Sequence, residues 1–397
     1  MSSETTIGAR IRALRERARI QSQELAALVG LDPSAMSNIE RGKRAVKTEE
    51  LASIARALGV SALAILSEDS LLERLPVAAR AQAEVVSDGS AVARLTALAE
   101  LHEVLSAHGF PSAPALADVP AVDVDHWLDS ADALASWVGT RIRLDGPHKD
   151  RLSQLAAAIE REFRVDVLIE GSPDQIAGAS ITDRRFPFIF VNRDQPVTRA
   201  LFTLAHELAH VLSGEGESAL TLDVNLTAHT NPERFANAFA ASLLMPKARI
   251  DAIIAEAGRG ATALARMVSE FGVSFESLVY RLHNLNVINA HGRDQLRGRG
   301  WTAVLTDLND DDMRRTLLSS LGMRPEQKPP DLLTERAFHG YQQGVISVRP
   351  LAGLLGLPPD DLLESMVRVQ DSRDAVRDDY SRVVDVTDED RYSGDPV

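Results

Sequence analysis

Apolar positions in residues 7–66 recur at the three- and four-residue spacing of amphipathic helices. Ile11 and Leu14 lie on the first such face, and four further short faces follow. Gly30 ends the second stretch as a helix C-terminal glycine, and Pro33 stands in the first turn of the third. The pattern predicts a head of five short helices.

Strand patterns fall in the middle of the chain. The runs Arg164–Glu170, Ala179–Thr182 and Phe186–Val191 are short and rich in apolar, β-branched or aromatic residues. Asp183–Arg185 predicts the turn of a hairpin between the last two runs. Helical periodicity then returns over 198–289, so a small three-stranded sheet is expected among helices.

Composition divides the chain into five parts. The region 67–125 is rich in Ala, Pro and charged residues, as linkers are, with one helix predicted near 88–107. The tail 371–397 has nine acidic residues, four arginines and few apolar anchors, which predicts disorder. The predicted fold class is α+β, mainly α, and its predicted parts are the head (1–66), the linker (67–125), an α+β domain (126–290), a helical C-terminal domain (301–370) and the tail.

Overall composition is that of a globular protein. With 397 residues, 45% hydrophobic and 25% charged, the chain is expected to form two to four domains rather than to be disordered throughout. No apolar run is long enough to cross a membrane, and the polar N-terminus is not a secretory signal, so a cytoplasmic protein is expected. Cysteine is absent, which excludes disulfides and thiol chemistry and leaves His, Asp and Glu to hold any metal.

The charge is unevenly distributed along the chain. The first 60 residues contain ten Lys or Arg against seven Asp or Glu, a net charge of +3. Because the whole chain carries −14, the remainder carries −17. An acidic body repels nucleic acid, whereas the basic head can still approach phosphates.

Two histidines stand four residues apart in the strongly helical stretch Leu201–Leu212. One helical turn puts His206 and His210 on the same face, where two imidazoles can hold zinc. Glu207 lies beside this pair, where it can take a proton from water at the metal and pass it to a leaving amine. The H-E-x-x-H pattern therefore predicts a catalytic zinc site.

A third ligand is predicted at the start of the next helix. Asn231 and Pro232 open that helix, which puts Glu233 in its first turn as a zinc ligand. Asn237, one turn further on, can accept a hydrogen bond from a ligand imidazole. A chance motif and a buried helix with two unligated histidines are the alternatives. The agreement of helix and downstream carboxylate favours the metal site.

Several segments around these residues follow one known pattern. They are Phe190–Asn192, Arg199, Phe202–His210, Glu233–Pro246, Val273–Ser274 and Tyr280–Leu282. Over about residues 130–290 the chain thereby resembles the ImmA/IrrE metallopeptidases. The resemblance implies a zincin-like fold, with His206, His210 and Glu233 as zinc ligands and Glu207 as general base. It also implies site-specific cleavage of a transcriptional repressor in a stress or mobile-element response.

Spacing does not single out the group that would stabilise an oxyanion. His229, Tyr280 and His283 are the candidates, and a packing or surface role is favoured for each.

The head follows a second known pattern, carried by Leu25–Leu31 and Ser37–Arg44. It resembles the Xre class of lambda-repressor-like helix-turn-helix domains, which implies that the helix over 33–40 enters the major groove of an operator. Asn38 can pair with adenine, and the side chains of Lys43 and Arg44 suit contacts to phosphates. Half-sites one helical turn apart would suit a homodimer. The predicted contacts to double-stranded DNA are Ser22, Ser34, Asn38, Lys43 and Arg44.

The head departs from the Xre class at two positions. Ser22 replaces the usual glutamine, and Pro33 begins the recognition helix without a side-chain donor, so base readout rests on few residues. Arg15 and Glu40 resemble the internal ion pair of the class. A helical protein-interaction module is the alternative for the head.

Three functions fit these motifs. The first is a zinc endopeptidase that its DNA-binding head recruits to a promoter, where it cleaves a repressor. The second is a transcriptional regulator whose peptidase-like domain only senses a ligand or partner, its protease activity gated or vestigial. The third is an interaction scaffold with a structural zinc closed by four protein ligands. The intact Glu207 favours the first.

An internal repeat links the head to the C-terminal domain. Leu25–Leu31 and Leu351–Leu357 share their spacing, and both patterns are typical of helix-turn-helix corners. Asp360, Asp361 and Glu364 follow the second corner and would repel phosphate, so a packing role is expected there.

Overall fold

The structure is a computed structural model, and it forms two compact units, residues 1–333 and 334–397. The described part is mainly helical with one small sheet, which confirms the predicted α+β, mainly α, fold class. None of its helices is long and apolar enough to cross a membrane. The predicted tail and much of the predicted linker, 67–89 and 113–117, lie outside the described residues. The described residues are 7–17, 20–58, 62–66, 90–112, 118–123, 125–144, 150–172, 176–214, 220–223 and 230–366.

The head contains the five predicted helices around one apolar core. Gly8 lets the first helix approach the third, since a Cβ there would lie 1.8 Å from the carbonyl oxygen of Ile39. Arg15 and Glu40 form a buried ion pair with Nε and Oε1 2.6 Å apart. The helices are α1 (Ile7–Arg17), α2 (Ser22–Leu28), α3 (Pro33–Glu40), α4 (Thr48–Leu58) and α5 (Ala62–Leu66).

Three helices precede the sheet: α6 (Ser90–Ala107), α7 (Trp127–Gly139) and α8 (Arg151–Phe163). Helix α6 lies against the sheet region through two contacts. The guanidinium of Arg94 donates two hydrogen bonds to the carboxylate of Glu170, at 2.8 and 3.1 Å. The imidazole of His102 stacks on the ring of Phe186, with centroids 4.4 Å apart.

The sheet has the three predicted strands and a fourth, in the order β1-β3-β2-β4. Strand β1 pairs parallel with β3, and β3 forms the predicted antiparallel hairpin with β2, which also pairs antiparallel with β4. All five residues of β3 are buried, as expected for a central strand covered on both faces. The strands are β1 (Asp166–Glu170), β2 (Gly178–Ile181), β3 (Phe188–Asn192) and β4 (Leu220–Asp223).

Helix α9 (Val197–Ser213) packs on β2 and β3, and α10 (Asn231–Leu244) packs on α9 and α7. The apolar faces of these helices join the buried side of the sheet in one core. Because α9 is held by strands on one side and by α10 on the other, its central turns are inaccessible to solvent. The helices that follow are α11 (Lys247–Ala257), α12 (Ala261–Phe271) and α13 (Phe275–Asn284).

Two further helices, α14 (Ala290–Thr306), which is kinked at Gly300, and α15 (Asp311–Ser320), lead to an extended segment over residues 323–330, here called the strap. The strap runs along the free edge of β1, where Ile169 and Lys328 exchange two backbone hydrogen bonds of 2.9 Å. At its start, the carbonyl of Met323 accepts a 2.8 Å hydrogen bond from the amide of Val197, the first residue of α9. The strap therefore ties the edge of the sheet to the beginning of α9.

Helix α16 (Asp331–Gln342) spans the boundary between the two units. The second unit continues with α17 (Val348–Leu355) and a helix over 359–366. Gly356 ends α17 with a φ of +66°, in the left-handed region that favours glycine. The predicted C-terminal domain, 301–370, spans the boundary between the units.

Candidate metal centre

Helix α9 carries the H-E-x-x-H motif in its buried part. His206 and Glu207 are fully buried and His210 is nearly so. The helix starts after Pro196 and ends at Gly214, whose φ of +61° is that of a left-handed C-cap. The motif lies in the middle and last turns of this regular helix, so the two imidazoles keep helical spacing on one face.

Glu233 reaches this pair from the first turn of α10, as the sequence predicts. Its Oε2 lies 3.2 Å from Nε2 of His206, and its Oε1 lies 3.6 Å from Nε2 of His210. The two Nε2 atoms are 3.1 Å apart. One ligand atom from each of the three residues lies within 4.8 Å of the others, and no second group of this kind occurs among the described residues.

These separations match what zinc requires. Ligand atoms at about 2.0–2.1 Å from one tetrahedral ion lie about 3.3 Å from each other. The protonation states also suit a cation. Burial, aided by the charge of His206, lowers the pKa of His210 to about 4, so this imidazole is neutral and has a free lone pair. Burial acts to raise the pKa of Glu233, but the hydrogen bond and charge of His206 outweigh it and the pKa is lowered.

Asn237 fixes the orientation of the first imidazole. Its Oδ1 lies 3.2 Å from Nδ1 of His206, one turn along α10 from Glu233. An amide oxygen can only accept here, so Nδ1 carries a proton, and Nε2 is the ring nitrogen that faces Glu233 and His210. The structure thus brings together His206, His210, Glu233 and Asn237, four of the five residues that the sequence assigns to the centre, and Glu207 follows His206 on α9.

Gly178, at the start of β2, is a site residue that sequence reasoning missed. A Cβ there would lie 2.5 Å from Cγ2 of Thr203 and 3.0 Å from Oε1 of Glu207. Thr203 and Glu207 are one turn apart on the face of α9 that meets the sheet. The missing side chain at 178 therefore lets β2 approach α9 closely enough to pack against the carboxylate. The only signal in the sequence is a glycine directly before a predicted strand, at the first residue of the strand that forms.

We expect Gly178→Ala to displace Glu207 and to lower the free energy of unfolding by about 1–3 kcal/mol, the usual effect of overpacking. Chemical unfolding followed by circular dichroism measures the change. Gly298→Ala is the matched control, since a Cβ at that position meets nothing within 4 Å.

Thr203→Ser offers a rescue, because it deletes the methyl group nearest the new Cβ. The double variant Gly178→Ala/Thr203→Ser should regain part of the lost stability. Equal stability of Gly178→Ala and wild type would contradict the close packing of β2 on Glu207.

The three oxyanion candidates take different places. His229 lies outside the described residues. Tyr280 is partly exposed, with the guanidinium of Arg297 5.0 Å from its ring centroid. Nδ1 of His283 lies 3.3 Å from the carbonyl oxygen of Ile288. For Tyr280 and His283 these contacts suit the favoured packing or surface role.

The predicted DNA contacts lie on and around α2 and α3 of the head. Ser22 is half-buried and donates a 3.4 Å hydrogen bond to Glu40, whereas Ser34 and Lys43 are exposed. Asn38 is half-buried, and its Oδ1 accepts a 3.2 Å hydrogen bond from the exposed Arg41. Their contacts with DNA remain predictions.

Arg44 already has a protein partner. Its guanidinium donates hydrogen bonds of 2.7 and 3.0 Å to the carboxylate of Glu50, which lowers the pKa of Glu50 to about 2. A phosphate would have to compete with this carboxylate for Arg44. The guanidinium of the neighbouring Arg41 donates hydrogen bonds to the carbonyl oxygen of Ser37 and to Oδ1 of Asn38. Among the described residues it forms no ion pair with a carboxylate.

Comparison with known proteins identifies two domains. Residues 160–283 match the IrrE N-terminal-like domain of the M78 peptidases, and residues 6–64 match a helix-turn-helix domain. The first match contains the complete metal-binding group, Asn237 and Gly178. No curated protein matches the chain.

One solved structure aligned with the chain is ComR from S. thermophilus in complex with DNA and its signalling peptide ComS. The alignment covers 79% of this chain and 98% of that chain at 12% sequence identity, with a TM-score of 0.20. Similarity at this level supports no conclusion about fold or function. The two domain matches agree with the motifs and with the geometry described above. The chain therefore joins a helix-turn-helix domain at residues 6–64 to an IrrE N-terminal-like peptidase domain at residues 160–283.

Proposed function

We propose that this protein is a DNA-binding, zinc-dependent endopeptidase that cleaves a transcriptional repressor in a stress or mobile-element response. The observation that carries the proposal is the arrangement of Glu207 and the metal-binding group. A buried carboxylate that is not itself a ligand stands next to His206 in the helix, while two imidazoles and Glu233 converge beside it. A purely structural metal site has no need of such a carboxylate.

His206, His210 and Glu233 would hold the zinc ion. A zinc ion held by three protein ligands would keep a fourth position open, and it would supply polarisation of a peptide carbonyl and a lower pKa for water. The residues of the chain have separate tasks. Asn237 would hold the proton of His206 on Nδ1, which leaves Nε2 as the nitrogen that binds the ion. Glu207 accepts the proton of the attacking water and delivers it to the nitrogen of the leaving amine.

The head would bring this chemistry to DNA. It is the basic part of an otherwise acidic chain, with a net charge of +3 in the first 60 residues against −17 in the remainder. Such a head can approach the phosphates of an operator while the body is repelled. A repressor bound nearby would then be cleaved where it acts, which couples proteolysis to transcription of the adjacent gene.

Metal content tests the first step of the proposal. We expect protein purified without chelators to contain one zinc ion per chain, and His210→Ala and Glu233→Ala to lose it. Elemental analysis of gel-filtered protein measures the ratio. His291→Ala removes an exposed histidine and should retain the metal. Zinc that persists in Glu233→Ala, or its absence from the wild type, would remove the basis for a catalytic centre here.

A further inference from the structure

The internal repeat noted in the sequence is also a repeat in three dimensions. In the head, the amide of Leu31 donates a 2.9 Å hydrogen bond to the carbonyl of Ala26. In the second unit, the amide of Leu357 donates a 3.0 Å hydrogen bond to the carbonyl of Ala352. The glycine before each of these leucines has φ near +70°, 70° in the head and 66° in the second unit. Both segments therefore turn the same helix-turn-helix corner.

The helix after each corner presents different chemistry. Met36 of the head and Leu362 of the second unit occupy the same buried position after the turn. Relative to these anchors, the exposed Ser34 of the head corresponds to Asp360. Ser37 corresponds to Leu363 by the same count. The second unit thus has a carboxylate and a leucine at positions where the head has small hydroxyl side chains.

The second corner exposes two leucines close in sequence to carboxylates. Leu357, before the helix over 359–366, is 45% exposed, and Leu363, in the second turn of that helix, is 37% exposed. Asp360 and Asp361 lie between them in sequence and are also exposed. We call these four residues the acidic corner. Its negative charge repels DNA phosphates. The corner instead suits a protein surface that carries positive charge around an apolar residue.

We propose that the acidic corner binds the basic head of a second copy of this chain. The head is the part of the chain that carries net positive charge. Its described residues include the exposed cations Arg41, Lys43 and Lys47, together with Leu28, which is 62% exposed. Both surfaces therefore expose leucine side chains, and their charges are of opposite sign, positive on the head and negative on the acidic corner.

A reciprocal exchange would close this association. If each head binds the corner of the other chain, the same contact forms twice and a two-fold dimer results, with no open surface left for further growth. Two weak contacts in one dimer reinforce each other through their high effective concentration. The acidic corner and DNA, both negatively charged, would then compete for the head. Binding of one would weaken binding of the other.

Sedimentation velocity of the full chain tests this proposal without DNA or zinc, so its outcome is independent of the proposed peptidase activity. We expect a dimer in about 50 mM salt that weakens in about 500 mM salt, since screening acts on exposed charges. Asp360→Asn/Asp361→Asn should raise the dimer Kd about tenfold or more. Asp311→Asn/Asp312→Asn is the matched control, because it removes the same charge from an exposed pair on α15.

A charge exchange sharpens the test. Lys43→Glu/Lys47→Glu in the head should weaken the dimer, and adding Asp360→Lys/Asp361→Lys to the same chain should restore it. A chain that is monomeric at every salt concentration overturns the proposal. So does a dimer that the Asp360→Asn/Asp361→Asn variant leaves unchanged.

Discussion

Replacing Glu207 with Gln should reduce proteolysis by a factor of about 10²–10⁴, the usual contribution of a general base. The substitution keeps the size and shape of the side chain, so the packing of Gly178 against position 207 is preserved. Zinc content should stay at the wild-type value because Glu207 is not among the residues that converge on the metal position. DNA binding should also be unchanged, since the head is untouched.

The substrate is unidentified, so the measurement must find it. Cells that produce wild-type protein or Glu207→Gln can be compared by mass spectrometry of newly formed protein N-termini. We expect a small set of N-termini that depends on Glu207 and includes a fragment of a DNA-binding repressor. Glu276→Gln, which changes an exposed glutamate on α13, serves as the control and should give the wild-type set.

An identical set of N-termini in wild type and Glu207→Gln would contradict the peptidase function. The chain would then be a regulator whose peptidase-like domain senses a ligand or partner, and its effect on transcription should survive the substitution. Loss of zinc from Glu207→Gln would be a different failure, because it would mean that the carboxylate supports the metal rather than the reaction.

Local rules explain why the metal centre could be predicted from the sequence. A spacing of four residues fixes two side chains on one helical face, whatever the rest of the fold does. An Asn-Pro-Glu start likewise fixes Glu233 in the first turn of its helix. The packing of these two helices against each other is a long-range contact that periodicity does not predict. The family resemblance indicated it, because it implies Glu233 as the third ligand beside His206 and His210. DNA contacts are harder to predict, since the partner of Arg44 is Glu50, across a turn.

The features that sequence reasoning missed depend on contacts across the fold. Strand β4 has only four residues, too few for an alternating pattern to stand out within a region of helical periodicity. Gly178 gains its role only from Glu207, which approaches it from α9 on the face of the sheet. Lys328 stands 168 residues from its partner Glu160, so no local pattern indicates their contact.

The ion pair of Glu160 and Lys328 is the basis of a second large expected effect, on the free energy of unfolding. Glu160 is 3% exposed and accepts hydrogen bonds from the amides of Val167 and Asp331, at 3.0 and 2.9 Å. The ammonium of Lys328 donates to its other oxygen at 2.6 Å. One carboxylate therefore joins helix α8, strand β1 and the strap, and Lys328 is the cation paired with it in the described part of the chain.

At about pH 9, above the pKa of about 8 that Glu160 has in the fold, Lys328→Met should lower the free energy of unfolding by about 3–5 kcal/mol, because it leaves a buried carboxylate without its cation. Hydrogen exchange measured by mass spectrometry should show faster exchange at Ile169 and along the strap, whose backbones are paired. Arg315→Met is the control, since it breaks a fully exposed ion pair with Asp312 and should change stability by less than about 1 kcal/mol.

The double variant Glu160→Gln/Lys328→Met separates charge from packing. It removes both charges while the side-chain amide oxygen at position 160 can still accept from the backbone amide of Asp331, so it should recover about 2 kcal/mol or more of the loss. If the double variant is as unstable as Lys328→Met alone, the uncompensated charge is not the cause. The strap would then be held mainly by its backbone hydrogen bonds and by the aliphatic part of Lys328.

The loss in Lys328→Met should also grow with pH. Burial raises the pKa of Glu160 to about 8, against the opposing charge of Lys328, and removing that charge raises the pKa further. A carboxyl group with a raised pKa in the folded state stabilises the fold below its unfolded pKa, and this stabilisation is lost as pH rises through the folded value. The deficit relative to wild type should therefore be larger at about pH 9 than at about pH 5. A deficit that is constant over this range would show that Glu160 keeps one protonation state and that its burial is compensated by the amides alone.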